Sequence, residues 1–134
     1  LREWDAAAEG ALARVIVLDQ FTRNVFRGTA RAFAGDALAL DAARAMVARG
    51  DDLALAPLRR VFVYLPYEHA EDAAVQRESL RLFGALGLPG FEDYARRHAA
   101  VIERFGRFPH RNAILGRAST AQESAFLAQP GSSF

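Results

Sequence analysis

The chain has 134 residues, 51% of them hydrophobic and 25% charged, which describes one folded domain and excludes a disordered chain. The absence of cysteine excludes thiol catalysis, disulfides and cysteine metal sites. Its 17 basic residues are all arginine and face 16 acids, leaving a net charge of +1: there is no bulk positive field for nucleic acid or a membrane surface, and no lysine for Schiff-base chemistry.

Alanine and leucine dominate, Val and Ile are sparse, and apolar residues recur at helical spacing, so the expected fold is all-α with about six helices. The first helix is predicted from Ala8 to Arg23, where Leu12, Val15, Ile16, Val17, Leu18 and Phe21 wrap the whole circumference, the pattern of a central helix. Asn24 to Gly35 reads as an ordered loop anchored by Phe26 and Phe33. Asp36 is placed to cap a second helix ending near Arg49, with Gly50 as its left-handed stop. Pro57 opens a third, whose buried stripe is expected to be Leu58, Val61, Phe62 and Leu65, and Pro66 should kink or end it near Tyr67, Glu68 and His69. A fourth helix is predicted over residues 71–86, closed by Gly87, and a fifth from Phe91 to Phe105, closed by Gly106. Ser119 and Thr120 offer capping-box hydroxyls to Gln122 and Glu123 for a last helix that Pro130-Gly131 ends.

Short loops make neighbouring helices antiparallel. The predicted starts at 37 and 71, and at 57 and 91, repeat at about 34 residues, the tetratricopeptide period. Stacked hairpins of that tetratricopeptide-like α-α superhelix are therefore expected over a single domain, residues 1–134, without a genuine repeat array. No apolar run approaches a membrane span and no signal sequence opens the chain, so the expectation is a cytoplasmic protein bound neither to membrane nor to nucleic acid.

Three polar groups stand out. Asp19 and Arg23, four apart on an apolar helix, require partners if buried, and Gln20 and Asn24 are near enough to supply them. The segment PYEHAED (66–72) places three carboxylates and His69 around a proline-broken backbone, and Glu68 or Asp72 can orient His69 as a general base. His98, amid apolar neighbours, reads as structural. RFGRFPHRN (104–112) pins a short loop with Phe and Pro while Arg107, His110 and Arg111 stay available, and Asn112 can cap a following turn whose N–H groups favour an anion. Each group also has a plainer reading as a structural ion-pair network.

LDQFTRN (18–24), RGTARAF (27–33), YLPYEHAED (64–72), RFGRFPHRNAILGR (104–117) and the closing PGSSF resemble a bacterial family of unknown function with a tetratricopeptide-like helical fold. The resemblance spans essentially the whole chain. Thr22 stands where members of that family typically carry proline, and the resemblance implies that an N-terminal segment of the family domain precedes Leu1.

Two functions follow as expectations. The first is a binding protein in which Asp19, Arg23, Asn24, Arg27, Arg107, Arg111 and Asn112 line a pocket for the anionic group of a small molecule or peptide. The second is a metal-independent hydrolase or isomerase of an anionic metabolite, with His69 or His110 as base and Glu68 or Asp72 in support. No cofactor is expected, and no metal, since the histidines fit no ligand motif.

Overall fold

The computed structural model describes residues 2–134, which form an all-helical domain. A 3-10 turn, Arg2–Ala6, precedes α1, which comprises Ala8–Ile16, a π-helical turn Val17–Phe21 and a last turn Thr22–Val25. There follow α2 (Asp36–Arg49), α3 (Pro57–Glu68), α4 (Ala73–Leu86), α5 (Pro89–Phe105) and α6 (Ala121–Leu127), with 3-10 turns at Ala30–Phe33, Asp51–Ala54 and Pro109–Arg111. The helix starts at residues 36 and 73, and at 57 and 89, are unequally spaced, so the hairpins do not repeat on a fixed period.

Consecutive helices α1 to α5 pack side by side. Contacts of Glu9 with Arg59 and of Asp19 with His69 advance in the same direction, which makes α1 and α3 parallel with α2 beside both. Alanines carry this packing: Ala11 in α1, Ala42 and Ala43 in α2 and Ala95 in α5 are fully or nearly fully buried, so backbones approach closely around Val15, Met46, Tyr67 and Phe83. A smaller cluster, Val101, Ile102 and Phe108 backed by Phe105 and Phe126, roofs the far side.

Several local expectations are corrected. α1 is not apolar-buried all round: Ala11, Leu12 and Val15 face the core while Phe21 is exposed. It also runs to Val25 through the π turn, so Asn24 is helical rather than in a loop. Phe26 and Phe33 are half-buried under arginines instead of anchored in the core; Ala32 is the buried residue there. On α3 the exposed Leu58 and Phe62 are on the wrong side of the expected stripe, and Val61, Tyr64 and Tyr67 point inward. The helix is turned because Tyr64 donates a 2.6 Å buried hydrogen bond to Asp52, which an aliphatic stripe could not make. α3 ends two residues past Pro66, and Gln76 of α4 closes it by donating to the Glu68 and Ala70 carbonyls at 2.8 Å. α4 begins at residue 73 because Asp72 is its N-cap, and α5 begins at Pro89. Thr120 and Glu123 form the expected capping box.

A π turn contains one residue more than an α turn and disrupts the i to i−4 ladder. Into that disruption comes Gly35, where a Cβ would collide with the Leu18 carbonyl oxygen. Gly35 rather than Asp36 is the N-cap of α2, and Asp36 turns its carboxylate back to Arg23 on α1. Gly35→Ala is therefore expected to destabilise by about 1–3 kcal/mol, the cost of overpacking. Gly84→Ala, within α4 and free of close contacts, is expected to stabilise by about 0.5–1 kcal/mol. Urea unfolding of the two variants reads both signs.

Candidate functional site

The turns at one end of the bundle enclose a cavity of about 430 Å3, lined by Arg23 and Gln20 of α1, Arg27 and Phe33 of the following segment, and His69, His98, His110 and Arg111. That volume falls within the range of about 300–1,000 Å3 of small-molecule sites. Asn24, Ile114 and Phe134 complete the wall.

Asp19, 1% exposed, is the inner anchor. Its carboxylate can only accept, and it takes hydrogen bonds from His69 Nδ1 at 2.8 Å and Gln20 Nε2 at 2.6 Å, with Arg23 Nε at 3.5 Å. Burial opposes its ionisation, yet His69, Arg23 and Gln20 together hold its carboxyl below the usual carboxylate range. The Asp19–Arg23 pair expected along the helix is the looser contact: Arg23 Nη2 sits 2.8 Å from Asp36 Oδ2. Asn24 accepts from Arg27 instead of serving Asp19.

Arg111 is 5% exposed. Its guanidinium lies 4.5 Å over the Phe33 ring and 4.7 Å over the Phe108 ring, and donates to the His69 carbonyl at 2.9 Å. Both nearby carboxylates, Asp36 and Glu71, remain at 3.8 Å because each is held more closely by another arginine, Arg23 and Arg117. Arg111 Nε is buried without a hydrogen-bond partner, as are His110 Nδ1 and Asp36 Oδ1. Burial first, and then the charge of Arg23, pulls the Arg111 pKa down to about 10. Burial pushes the Asp36 carboxyl up despite Arg23 and Arg111.

His98 and His110 share the wall with Phe134, whose ring stacks on His98 at 3.8 Å and meets His110 edge-on at 5.8 Å. His98 Nδ1 donates to the Tyr94 carbonyl, which leaves Nε2 facing Glu68 Oε2 at 3.9 Å. Burial lowers His98 to about 3 and, with help from Arg111, His110 to about 4, so both are neutral imidazoles. Burial, reinforced by the charge of Asp19, raises Glu68 to about 8, so its carboxyl is protonated at neutral pH. Among the described residues, no three His, Asp or Glu side chains are grouped to hold a metal ion.

Of the residues singled out by sequence, Arg23, Asn24, Arg27, His69, His110 and Arg111 line this one cavity, and Asp19 stands directly behind His69. The others lie elsewhere. Glu68 packs against His98 and does not orient His69; Asp19 does. Asp72 caps α4 through Ala74 and Val75 N–H. Arg107 leaves the cavity for Glu123, whose carboxyl it holds far below the usual range. Asn112 caps no turn: it is buried, donates to Ser119 and Glu123 and accepts from Arg117. Sequence reading missed Gln20, Phe33, His98, Ile114 and Phe134 as wall residues, and missed Glu71, which accepts from Phe108 N–H at 2.7 Å and grips Arg117 with both oxygens, fixing the loop that carries His110 and Arg111.

The family described as "Bacterial protein of unknown function (DUF924)" matches residues 1–131. The chain belongs to this family. Among solved structures it is similar to the protein of unknown function ATU0120 from Agrobacterium tumefaciens, at 46% identity and a TM-score of 0.90, over 94% of this chain and 71% of that one. No curated protein matches the chain. No helix among the described residues is long and apolar enough to cross a membrane.

The shifted groups set a pH dependence. Between about pH 4.5 and 8 the folded state keeps the Glu68 proton that the unfolded chain releases, so this group lowers stability as pH rises. His98 and His110 act oppositely: below about 6.5 the unfolded chain protonates them and the folded state does not, so they lower stability as pH falls. Thermal unfolding should thus peak near pH 6.5, and Glu68→Gln should remove the decline between pH 6.5 and 8; an unchanged decline would exclude Glu68 as its source.

Proposed function

We propose that this protein binds a small molecule through an anionic group, carboxylate or phosphate, seated in the cavity on Arg111. The observation that carries the reading is the state of that guanidinium: almost fully buried, with an unpartnered Nε, and no carboxylate nearer than 3.8 Å. A buried charge so loosely compensated is costly, and an incoming anion with two acceptor oxygens relieves the cost. Arg27, exposed and, among the described residues, hydrogen-bonded only to neutral Asn24, adds positive charge at the rim. Phe33, Ile114 and Phe134 offer apolar surface to the rest of the ligand.

A tetratricopeptide-like superhelix is the part of this picture that would suit an extended peptide. The cavity favours a small molecule, because the last turns of α1, His98 of α5 and non-helical segments wall it, rather than a long concave helical face.

Titration of isotope-labelled protein with sodium benzoate and with inorganic phosphate tests the reading. Resonances of His69, His110 and the 108–114 loop should shift, and Arg111→Gln should weaken binding about tenfold or more, the worth of one charge-assisted contact of roughly 1.5–3 kcal/mol. Arg27→Gln, at the rim, cannot disturb the core and should weaken it about two- to fivefold, in the range of an exposed pair. Equal affinity in a folded Arg111→Gln and in Arg27→Gln would remove the cavity as the anion site.

A further inference from the structure

The inner wall of the cavity holds a carboxylate–imidazole pair that binding alone does not require. Because the Asp19 carboxylate can only accept, the hydrogen between it and His69 resides on Nδ1, and Nε2 is the ring atom left to exchange a proton with the cavity. No protein hydrogen bond to Nε2 exists among the described residues, and the ring faces the cavity. Asp19 is itself fixed by Gln20 and Arg23, and the His69 carbonyl is tied to Arg111, so imidazole and guanidinium are held in one rigid arrangement.

We propose that the cavity is the active site of a single-base isomerase, in which His69 Nε2 shifts a proton between C3 and the keto oxygen of a 2-oxo acid whose carboxylate is held by Arg111. The assignment rests on the anion-binding reading above and extends it to chemistry. The inventory of the wall selects the reaction class. Among the lining residues there is no Ser, Thr, Tyr, Lys, Asp or Glu, so no hydroxyl, amine or carboxyl side chain lines the cavity beside the histidines. The two other histidines stay neutral and have no imidazolium proton to give. A keto–enol shift needs one base, which returns to oxygen the proton it removes from carbon.

The step balances without a co-reactant. The Nε2 lone pair takes the proton from the carbon next to the keto group, the C–H electron pair becomes the new C=C bond, and the carbonyl pair moves onto oxygen. The resulting imidazolium then delivers the proton to that oxygen, giving the enol, or back to carbon in reverse. Arg111 stabilises the negative charge that develops between the two transfers, and the Phe33 and Phe134 rings suit a flat, conjugated intermediate. His69 is the catalytic residue in this scheme and Asp19 a positioning residue, since it acts through the imidazole.

The probe is phenylpyruvate, an anionic, planar and enolisable 2-oxo acid. Its ketone–enol interconversion is followed by enol absorbance and by deuterium uptake at C3 in heavy water. The wild-type protein should accelerate exchange about 100-fold or more over buffer. His69→Gln should reduce it to the buffer rate while phenylpyruvate still binds within about threefold. Asp19→Asn should lower the rate and move the His69 hydrogen to Nε2 in nitrogen-15 spectra, a change that a purely structural Asp19 would not produce. Equal exchange in wild type and His69→Gln overturns the proposal. Should phenylpyruvate bind through Arg111 without exchanging, the chemistry is refuted and the anion site stands; phosphate binding without phenylpyruvate binding refutes the oxo-acid assignment; if neither binds, both readings fall.

Discussion

The junction of α3 and α4 holds the cavity together, because its five consecutive residues, 68–72, engage four different parts of the molecule. Glu68 faces inward to His98, and His69 reaches back to Asp19 while its carbonyl receives Arg111. Ala70 gives its carbonyl to Gln76, Glu71 takes Phe108 N–H and Arg117, and Asp72 caps α4. Pro66 is what allows this divergence. Lacking an N–H and crowding the carbonyl four residues back, it weakens the helix just before the turn, so the backbone leaves α3 two residues later. A helix continued through 72 would place these side chains at helical intervals on one rod and could not aim them at α1, α5 and the 107–117 loop together.

The same economy governs the arginines. Guanidinium is the only strong cation this sequence provides, and each buried or half-buried one is given a planar partner. Arg117 takes both oxygens of Glu71, Arg107 both of Glu123, and Arg23 one of Asp36. Arg60 takes the Leu55 carbonyl, and Arg111 has no carboxylate within hydrogen-bond distance. Its faces are covered by Phe33 and Phe108, and its neighbouring acids are already committed. Stacking on rings orients a guanidinium without neutralising it.

Much of the fold was legible because its signals are local. Gly50, Gly87 and Gly106 terminate three helices in the left-handed conformation, and Thr120 with Glu123 opens another, each within four residues of sequence. The face of α3 was legible only in part: of the expected stripe Leu58, Val61, Phe62 and Leu65, Val61 is buried and Leu65 packs on the core, while Leu58 and Phe62 are exposed and Tyr64 and Tyr67 take the inward positions. The choice between them lies in Asp52, outside the helix. The site divides in the same way. Asp19, Arg23, His69, His110 and Arg111 were conspicuous as polar residues among apolar ones, but proximity in sequence paired His69 with Glu68 and Asp72, whereas its partner is 50 residues away. His98 was hidden because an imidazole on an apolar helix face has the same pattern whether it is packed in a core or walls a cavity.

What the interior keeps neutral decides the character of the cavity as much as what it charges. Glu68 retains its proton and the two histidines beside the Phe134 ring do not gain theirs, so these three groups contribute dipoles and lone pairs but no net charge. Around them stand the carboxylates of Asp19, Asp36 and Glu71 and the guanidinium groups of Arg23, Arg111, Arg117 and rim Arg27. An ionised Glu68 would add a further negative charge to that set. Burial of one carboxyl behind His98 thus makes the surroundings of the cavity more positive, and it does so through a residue that does not line the cavity.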